Sequence, residues 1–176
     1  MRAPIGSFED AHPATERREL LPPPVAAAVT AQMVHVDTDP DKADTADFVA
    51  AYGQDLLDQS ANCVVVAGKR GTELTLAACV VLSTTRVDVN GTVRRHLGAR
   101  KASFAPMDTA VSETGMEYGG ITPVGLPAHW PLLIDSAVAE APYLVIGSGA
   151  RRGKLIVPGK VLASLPGAVV LDGLGG

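Results

Sequence analysis

Because 176 residues is the length of an ordinary single domain, we expect one unit with one hydrophobic core. Apolar residues make up 47% of the chain but aromatic residues only 4%, so the core has to be built mainly from Val, Leu, Ile and Ala, as in a sheet packed against helices. The net charge of −4 argues against broad, sequence-independent nucleic-acid binding, which depends on neutralising many phosphates, but it still allows recognition of one end of a nucleic acid.

The sequence lacks the apolar segments that export or membrane insertion would need. The N-terminus has no apolar core of about 7–15 residues, and no stretch of about 18 apolar residues occurs anywhere in the sequence. We therefore expect a cytoplasmic protein without membrane contact. Cys63 and Cys79 lie in apolar runs and form no Cys-x-x-Cys pair, which favours buried thiols over ligands or nucleophiles.

The first 21 residues are polar and charged and show no core periodicity, so we expect a mobile N-terminal tail, with the domain itself spanning residues 22–176. Three prolines at 22–24 then lead into a predicted helix over residues 25–32, and residues 33–36 read as a strand. The acids between Asp37 and Asp47 alternate as in a calcium loop. Lys42 and Phe48, however, stand where such a loop needs Gly and Glu, so we predict an Asp44-capped helix over residues 45–52 instead.

The most secure local prediction is a β-hairpin formed by residues 63–67 and 73–82 around the turn that contains Gly71. Both strands are apolar at consecutive positions, so both of their faces should be covered, and they belong in the middle of the sheet.

The rest of the chain alternates strands and helices without a regular period. We predict a helix capped by Asp88 or Asn90 and closed by Gly98, a strand over residues 100–105, and a helix from Pro106 that ends before Gly115. After a central loop come strands over residues 132–134, 143–146, 154–157 and 168–171, with helices over residues 135–140 and 159–165. This order predicts an α+β fold with a mixed sheet.

The central loop, residues 114–127, holds four glycines and two prolines together with several apolar residues, so it reads as an ordered loop. Glycine lets a backbone approach a ligand and proline fixes the chain, so residues 119–123 predict a rigid turn whose N–H groups receive a carbonyl oxygen or a phosphate. A tight connection that merely packs is the alternative.

Standard catalytic motifs do not fit. Gly147-Ser148-Gly149 follows a strand, but the next segment reads as a strand rather than a helix, and Ile146 stands where a nucleophile elbow needs Gly. The four histidines lack metal-ligand spacing, so neither zinc nor another cofactor is expected.

The motif Gly119-x-x-x-Pro123, set between Thr114 and Gly125, resembles the signature loop of the YbaK/prolyl-tRNA synthetase-associated domain family of aminoacyl-tRNA editing deacylases. The resemblance extends over residues 34–171 and includes residues 97–101, Ile134-Asp135 and residues 147–153. It implies a single domain with a strongly bent, partly closed mixed sheet surrounded by helices.

The resemblance also implies a site without a strong nucleophile. An aminoacyl ester is already activated, so a positioned water and oxyanion donors suffice, and the N–H groups of Gly119 and Gly120 fit that task. Asp135 matches a family aspartate at the pocket, although it is equally a helix N-cap. The expected substrate-binding residues are Thr114, Met116, Ile121, Thr122, Pro123, Ser148 and Gly149. For the last two, a tight β-connection is the alternative.

Five cations are candidates for contact with the phosphates of a tRNA acceptor end, although charge runs are more often simply solvated. They are Arg100, Lys101, Arg151, Arg152 and Lys154. The expected partner is therefore an aminoacyl-tRNA, with an aminoacyl-tRNA synthetase as a further candidate. The oligomeric state stays open.

One position departs from the family. Relatives carry a lysine at the start of the first hairpin strand, and Asn62 occupies that position here, which places it among the expected catalytic residues. Asparagine forms only neutral hydrogen bonds. The leading hypothesis is thus a trans-acting deacylase that clears a mischarged small amino acid. The alternatives are a noncatalytic module that binds a tRNA end, nucleotide or aminoacyl compound, and a hydrolase of another small ester.

Overall fold

The computed structural model describes the backbone of residues 1–176 and all side chains except that of residue 45. The strands are β1 (Ala11–Pro13), β2 (Val34–Val36), β3 (Ala61–Arg70), β4 (Glu73–Leu82), β5 (Lys101–Phe104), β6 (Leu132–Asp135), β7 (Leu144–Gly147), β8 (Lys154–Val157) and β9 (Ala168–Leu171). The helices are α1 (Pro23–Ala28), α2 (Thr45–Tyr52), α3 (Arg94–His96), α4 (Met107–Thr114), α5 (Ser136–Glu140) and α6 (Gly159–Leu162). Short 3-10 turns cover Ala14–Glu16, Arg18–Leu20, Pro40–Lys42 and Gln54–Leu57.

The strands form two sheets. The larger has the order β5-β3-β4-β6-β9 and is mixed, because β3 pairs antiparallel with β4 and β5 whereas β6 pairs parallel with β4 and β9. The smaller has the order β1-β2-β8-β7 and is antiparallel. A parallel bridge between Ser60 and Val145 links the two. The predicted single-domain α+β fold with mixed pairing is confirmed, but the strands form two sheets linked by this bridge and not one partly closed sheet.

The predicted hairpin is confirmed in its position and its surroundings. β3 and β4 pair from Ala61 opposite Leu82 to Arg70 opposite Glu73, and both strands lie inside the larger sheet. Successive side chains of β4 enter different hydrophobic clusters, since Val80 belongs to the main core and Cys79 to a second core on the other face. Both faces of the hairpin are therefore covered.

The N-terminal segment differs from the expected mobile tail. Strand β1 pairs with β2, and the side chains of Ala11, Ala14 and Leu21 are buried. The Arg17 guanidinium also donates two hydrogen bonds, of 2.8 and 3.2 Å, to the Asp10 carboxylate. The sequence hides this packing because small, widely spaced residues carry it, and they leave no periodic apolar pattern.

Two predicted helix termini are refined. The helix expected over residues 25–32 begins at Pro23 and ends at Ala28. Ahead of α3, Val89–Val93 forms a π-helical turn, and the Asp88 carboxylate, rather than Asn90, caps it by accepting hydrogen bonds from the N–H groups of Gly91 and Thr92.

Candidate functional site

A cavity of about 380 Å³ lies where the two sheets meet. Its wall contains the first half of β3, the end of β7, the start of β8 and the central loop. Of the predicted catalytic and binding residues, the cavity brings together Asn62, Gly119, Ile121 and Lys154. These four residues come from three distant parts of the sequence, so the fold assembles one site from them.

Glycines hold the central loop against the β7–β8 connection. The Glu117 N–H donates to the Gly149 carbonyl at 2.8 Å, and the Gly149 N–H donates to the Gly120 carbonyl at 2.7 Å. A Cβ on Gly120 would collide with the Ala150 backbone, and one on Gly147 would lie 2.5 Å from the Gly120 oxygen. Two backbones touch directly here, which only glycine permits.

The two predicted oxyanion donors differ. The Gly120 N–H already donates to the Glu117 carbonyl at 3.0 Å, and Gly120 is buried outside the cavity lining, so it is not a free donor. Gly119 lines the cavity in a left-handed conformation with φ of +88°. Within the described residues its N–H makes no backbone hydrogen bond. Gly119 therefore stays a candidate donor, whereas the Gly120 N–H is used within the loop.

Most of the predicted substrate-binding residues stabilise the loop instead of lining the cavity. The buried Thr114 hydroxyl donates to the Ala110 carbonyl at 2.6 Å and accepts from the Met116 N–H at 3.2 Å. The Thr122 N–H in turn contacts the Met116 sulfur at 3.4 Å, and Pro123 is also buried. Ile121 is the member of this group that reaches the cavity.

Ser148 and Gly149 form a tight β-connection, as the alternative interpretation had it. The fully buried Ser148 hydroxyl lies 3.0 Å from the Gly153 carbonyl and 3.1 Å from the Ala150 carbonyl, and it accepts from the Ala150 N–H. Gly149 has φ of +91° and packs against Val25. Neither residue lines the cavity, so both position the loop without forming part of the cavity surface.

Asp135, predicted to be a catalytic residue, does not line the cavity. Ile134 points into the main core beside the cavity, whereas Leu133 points into the second core, and Asp135 shares the face of Leu133 because side chains alternate along a strand. Its carboxylate lies near Gly175. Asp135 also occupies the N-cap position of α5, but its side chain makes no capping hydrogen bond.

Asn62 lines the cavity together with Gly119. The residue is exposed, and its Oδ1 lies 3.4 Å from the Ser83 hydroxyl. Its carboxamide is a neutral donor and acceptor.

Lys154, predicted to contact tRNA phosphates, lies in the cavity wall. It begins β8, opposite Gly147 of β7 and Val36 of β2, and its ammonium is 5.9 Å from the centre of the Phe48 ring. Burial lowers the pKa of Lys154, and the positive charge of Arg151 lowers it further. Lys154 is half-buried, and it is the one side chain with a formal charge among the residues that line the cavity.

The other predicted cations are exposed. Arg152 is held by Asp37 through contacts of 2.8 and 2.9 Å, and this ion pair lowers the pKa of Asp37. Arg151 donates to the Pro40 carbonyl at 3.3 Å and lies against Gly119. Arg100 and Lys101 lie at the start of β5, where Lys101 is opposite Lys69.

The thiols have little reactivity in this environment. Burial raises the pKa of Cys63, which lines the cavity, and raises that of Cys79 to about 12. Cys79 is buried as predicted, whereas Cys63 is partly exposed. A thiolate at either position is therefore disfavoured near neutral pH. Among the residues described here, no cluster of three or more His, Cys, Asp or Glu side chains has the arrangement of a metal site.

A cavity that is walled by strands, closed by a glycine-rich turn and lined by one cation defines a domain for binding or converting a small polar ligand. Residues 39–165 match the profile of the aminoacyl-tRNA editing domain, and the chain belongs to that family.

Several solved structures share the fold. One is a candidate trans-editing enzyme for prolyl tRNA synthetase, with a TM-score of 0.72 and 21% identity over 90% of this chain and 95% of that one. A scaffold used for computational epitope grafting has a TM-score of 0.71, with 21% identity over 90% and 96% of the two chains. The hypothetical protein APE2540 has a TM-score of 0.66, with 21% identity over 76% and 85%. At this identity the likeness concerns the fold alone.

In the part of the chain that the structure describes, every helix is too short or too polar to cross a bilayer.

Proposed function

We propose that this protein is a trans-acting aminoacyl-tRNA deacylase that hydrolyses the ester of a mischarged small amino acid. The observation that carries the proposal is the cavity of about 380 Å³ that joins Asn62, Gly119 and Ile121 in one wall, in a chain of the editing family. This volume lies near the lower end of the range for small-ligand pockets, about 300–1,000 Å³, which suits an aminoacyl group better than a large substrate.

The cavity supports hydrolysis by a bound water rather than by a protein nucleophile. Its serine hydroxyls are engaged, since Ser60 donates to the Leu56 carbonyl at 2.6 Å and Ser83 contacts Asn62, and the Cys63 thiol is kept protonated. In this proposal the Gly119 N–H donates to the developing oxyanion, and the Asn62 carboxamide binds the ester carbonyl or a ribose hydroxyl.

The small volume of the cavity suits a site that selects between amino acids of similar size. Two amino acids that differ by one methylene are discriminated by only ~1–3 kcal/mol in a single binding step, so a second, hydrolytic selection is needed to remove the wrong one. The apolar wall of Ile121, Val145 and Ile146 is suited to this selection because it offers a side chain little besides volume and shape.

The surface around the cavity supports docking of a tRNA acceptor end. Phe104 and Tyr118 line the cavity, and their rings are exposed, so each offers a face on which a terminal base can stack. Lys101 lies three residues before Phe104 on β5, about 10 Å along the strand and on the opposite face of the sheet. It is directly opposite Lys69, a like-charge pair that a phosphate would stabilise. We therefore assign phosphate contact to Arg100 and Lys101, ahead of the ion-paired Arg152.

We assign the activity to residues 1–176 as a unit rather than to residues 22–176, because β1 belongs to the same sheet as β8. A noncatalytic binding module is the second candidate. It is favoured by the neutral Asn62 and by a cavity lining, within the described residues, that contains no carboxylate or imidazole to act as a base.

The test is incubation of the purified protein with a panel of mischarged tRNAs, with and without the cognate synthetase, and with free amino-acid esters as a separate arm. Loss of the aminoacyl group above the spontaneous rate, on tRNA only, supports the deacylase. Equal hydrolysis of the free esters points to a general small-ester hydrolase, and binding without hydrolysis identifies the binding module.

A further inference from the structure

Lys154 carries a positive charge that no ion pair balances within the described residues. Among the side chains that the structure describes, no carboxylate lies within ion-pair distance of its ammonium, whereas the neighbouring Arg152 is paired with Asp37. The nearest stabilising group is the face of the Phe48 ring, at 5.9 Å, which is at the outer limit of a cation–π contact. A half-buried ammonium without a partner costs stability unless a ligand supplies the missing negative charge.

Lys154 lines the cavity, so a ligand bound in the cavity is the group that would supply this negative charge. The two strands that flank it contribute Gly147 and Val36 at the paired positions, and neither residue has a polar side chain. At Gly147 the backbone of the central loop packs directly on the strand, since a Cβ there would lie 2.5 Å from the Gly120 oxygen, so the central loop borders the cavity beside Lys154. Lys154 and Gly119 therefore line the same cavity, together with Asn62.

We propose that Lys154 is the catalytic cation of this site and stabilises the oxyanion that forms when water adds to the ester carbonyl. The inference rests on the proposed deacylase function and adds to it the group that carries the charge. A positive charge in a partly desolvated cavity stabilises a developing negative charge far more strongly than it would in water.

The step balances without a protein nucleophile. An electron pair of the water oxygen forms the new bond to the ester carbon, and the carbonyl π pair moves to the oxygen that faces Lys154. The intermediate then collapses, so the bond to the ribose oxygen breaks with its electron pair. That oxygen takes up the proton lost by the attacking water, and the products are the free ribose hydroxyl and the amino acid.

Several charged or titratable groups lie on the elements around Lys154: His35, Asp37, Asp44, Asp47 and Arg151. Asp37 is engaged by Arg152, His35 is buried, and Asp47 is exposed on α2. Arg151 is the neighbouring charge that acts on Lys154, and its effect adds to that of burial in lowering the pKa. The ammonium should therefore lose its proton at a pH below its ordinary value of 10.5.

The experiment compares the wild type with Lys154→Met, Lys154→Arg and the matched control Lys160→Met, which removes an exposed lysine outside the cavity. Loss of one oxyanion-stabilising group typically lowers kcat by about 10²–10³-fold, so we expect a fall of that size for Lys154→Met and a change below about twofold for Lys160→Met. Binding of a non-hydrolysable aminoacyl amide of 3′-amino-3′-deoxyadenosine should change by less than about threefold, because the charge acts in the transition state.

The pH profile separates a cation from a base. Wild-type kcat should fall as pH rises through the pKa of Lys154, and Lys154→Arg should recover activity and move that fall to higher pH, because a guanidinium stays protonated. Activity that rises through this range would mean that neutral Lys154 acts as a base and would overturn the proposal. Full activity in Lys154→Met, or equal loss in a folded Lys154→Arg, would also overturn it.

The experiments distinguish failure of the proposed deacylase function from failure of the role assigned to Lys154. If wild type hydrolyses no mischarged tRNA, the deacylase assignment and the catalytic role of Lys154 fall together. Protection of Lys154, but not Lys160, from an amine-reactive reagent by the amide analogue would then still place the ligand beside this ammonium. If Lys154→Met hydrolyses the substrate as well as wild type does, only the present inference fails.

Discussion

Asn62 combines exposure with a place in the cavity, so its side chain can be changed with little effect on the core. We expect Asn62→Ala to lower kcat/KM by about two- to tenfold, since one neutral hydrogen bond contributes ~0.5–1.5 kcal/mol net. Asn62→Lys should fold normally, with a melting temperature close to that of wild type. Kinetics on the mischarged tRNA and thermal melts of both variants test this. An unfolded Asn62→Lys would show that the residue is structural.

His35 is buried in β2, and neither of its ring nitrogens has a hydrogen-bond partner among the described residues. Desolvation lowers the pKa of His35 below its ordinary value of 6.5, with the positive charge of Arg17 contributing. The stability that the neutral imidazole gives is therefore present above about pH 6.5. It is lost as pH falls, because the unfolded chain binds a proton that the folded chain resists.

We accordingly expect the melting temperature to decline between pH 7 and pH 5, and His35→Leu to remove most of that decline. Asp37 has a lowered pKa and titrates below its ordinary value of 3.8, so it lies outside this window. Thermal melts at several pH values check the prediction. An equal slope in the variant would contradict it.

At the scale of single elements, the central loop contains one glycine that lines the cavity, Gly119, and one that packs against another backbone segment, Gly120. Gly119→Ala places a side chain at φ of +88° and against the flexible guanidinium of Arg151, so we expect a loss of ~1–2 kcal/mol in stability. The same change should cause a larger loss of hydrolysis, because it would shift the N–H proposed to donate to the oxyanion. Denaturant unfolding and kcat on the same samples separate the two effects.

Gly120→Ala is the matched control for that prediction. Its Cβ would strike the Ala150 backbone, which cannot move aside as a side chain can, so we expect the larger destabilisation from this variant. If Gly119→Ala loses stability and activity in parallel, as Gly120→Ala should, the turn is merely structural.

The helices and strands could be predicted where neighbouring residues in the sequence determine them, but only part of the site could be predicted. Runs of Val and Ala gave β3 and β4, and helices end at Gly98 and Gly115 as predicted, with both glycines in a left-handed conformation. Ser148, by contrast, could be a ligand-binding or a structural residue on sequence alone, because small polar residues beside glycine serve both purposes. The place of Lys154 in the cavity wall could not be predicted, because it depends on pairing with β7 and with β2, which is more than a hundred positions away.

At the scale of the whole molecule, the N-terminal segment should be required for stability. Deleting residues 1–21 removes β1 and uncovers β2, and it removes Phe8 from its stacked contact with Tyr52. We expect the melting temperature to fall by more than about 5 °C, since 1 kcal/mol corresponds to about 2–4 °C in a domain of this size. Glu19→Ala, at an exposed position of the same segment, should leave it unchanged. An unchanged melting temperature in the truncated protein would show that this segment is a mobile tail, as the sequence predicts.

Two properties of the whole molecule stay predictions, because neither the fold nor the family bears on them directly. They are the cytoplasmic location and the involvement of a synthetase. Fractionation of cells that express the protein and co-purification with a synthetase would measure them.

The pairing of β2 with β8 also determines the stage of synthesis at which the complete cavity can form. The two strands are joined by more than a hundred residues of intervening chain, and contacts of such long sequence separation make folding slow. The hairpin β3–β4 has only a two-residue turn and can form as soon as it leaves the ribosome. The wall that contains Lys154 cannot exist until β8 has been translated, so nascent chains shorter than about 157 residues hold most of the larger sheet and no complete cavity.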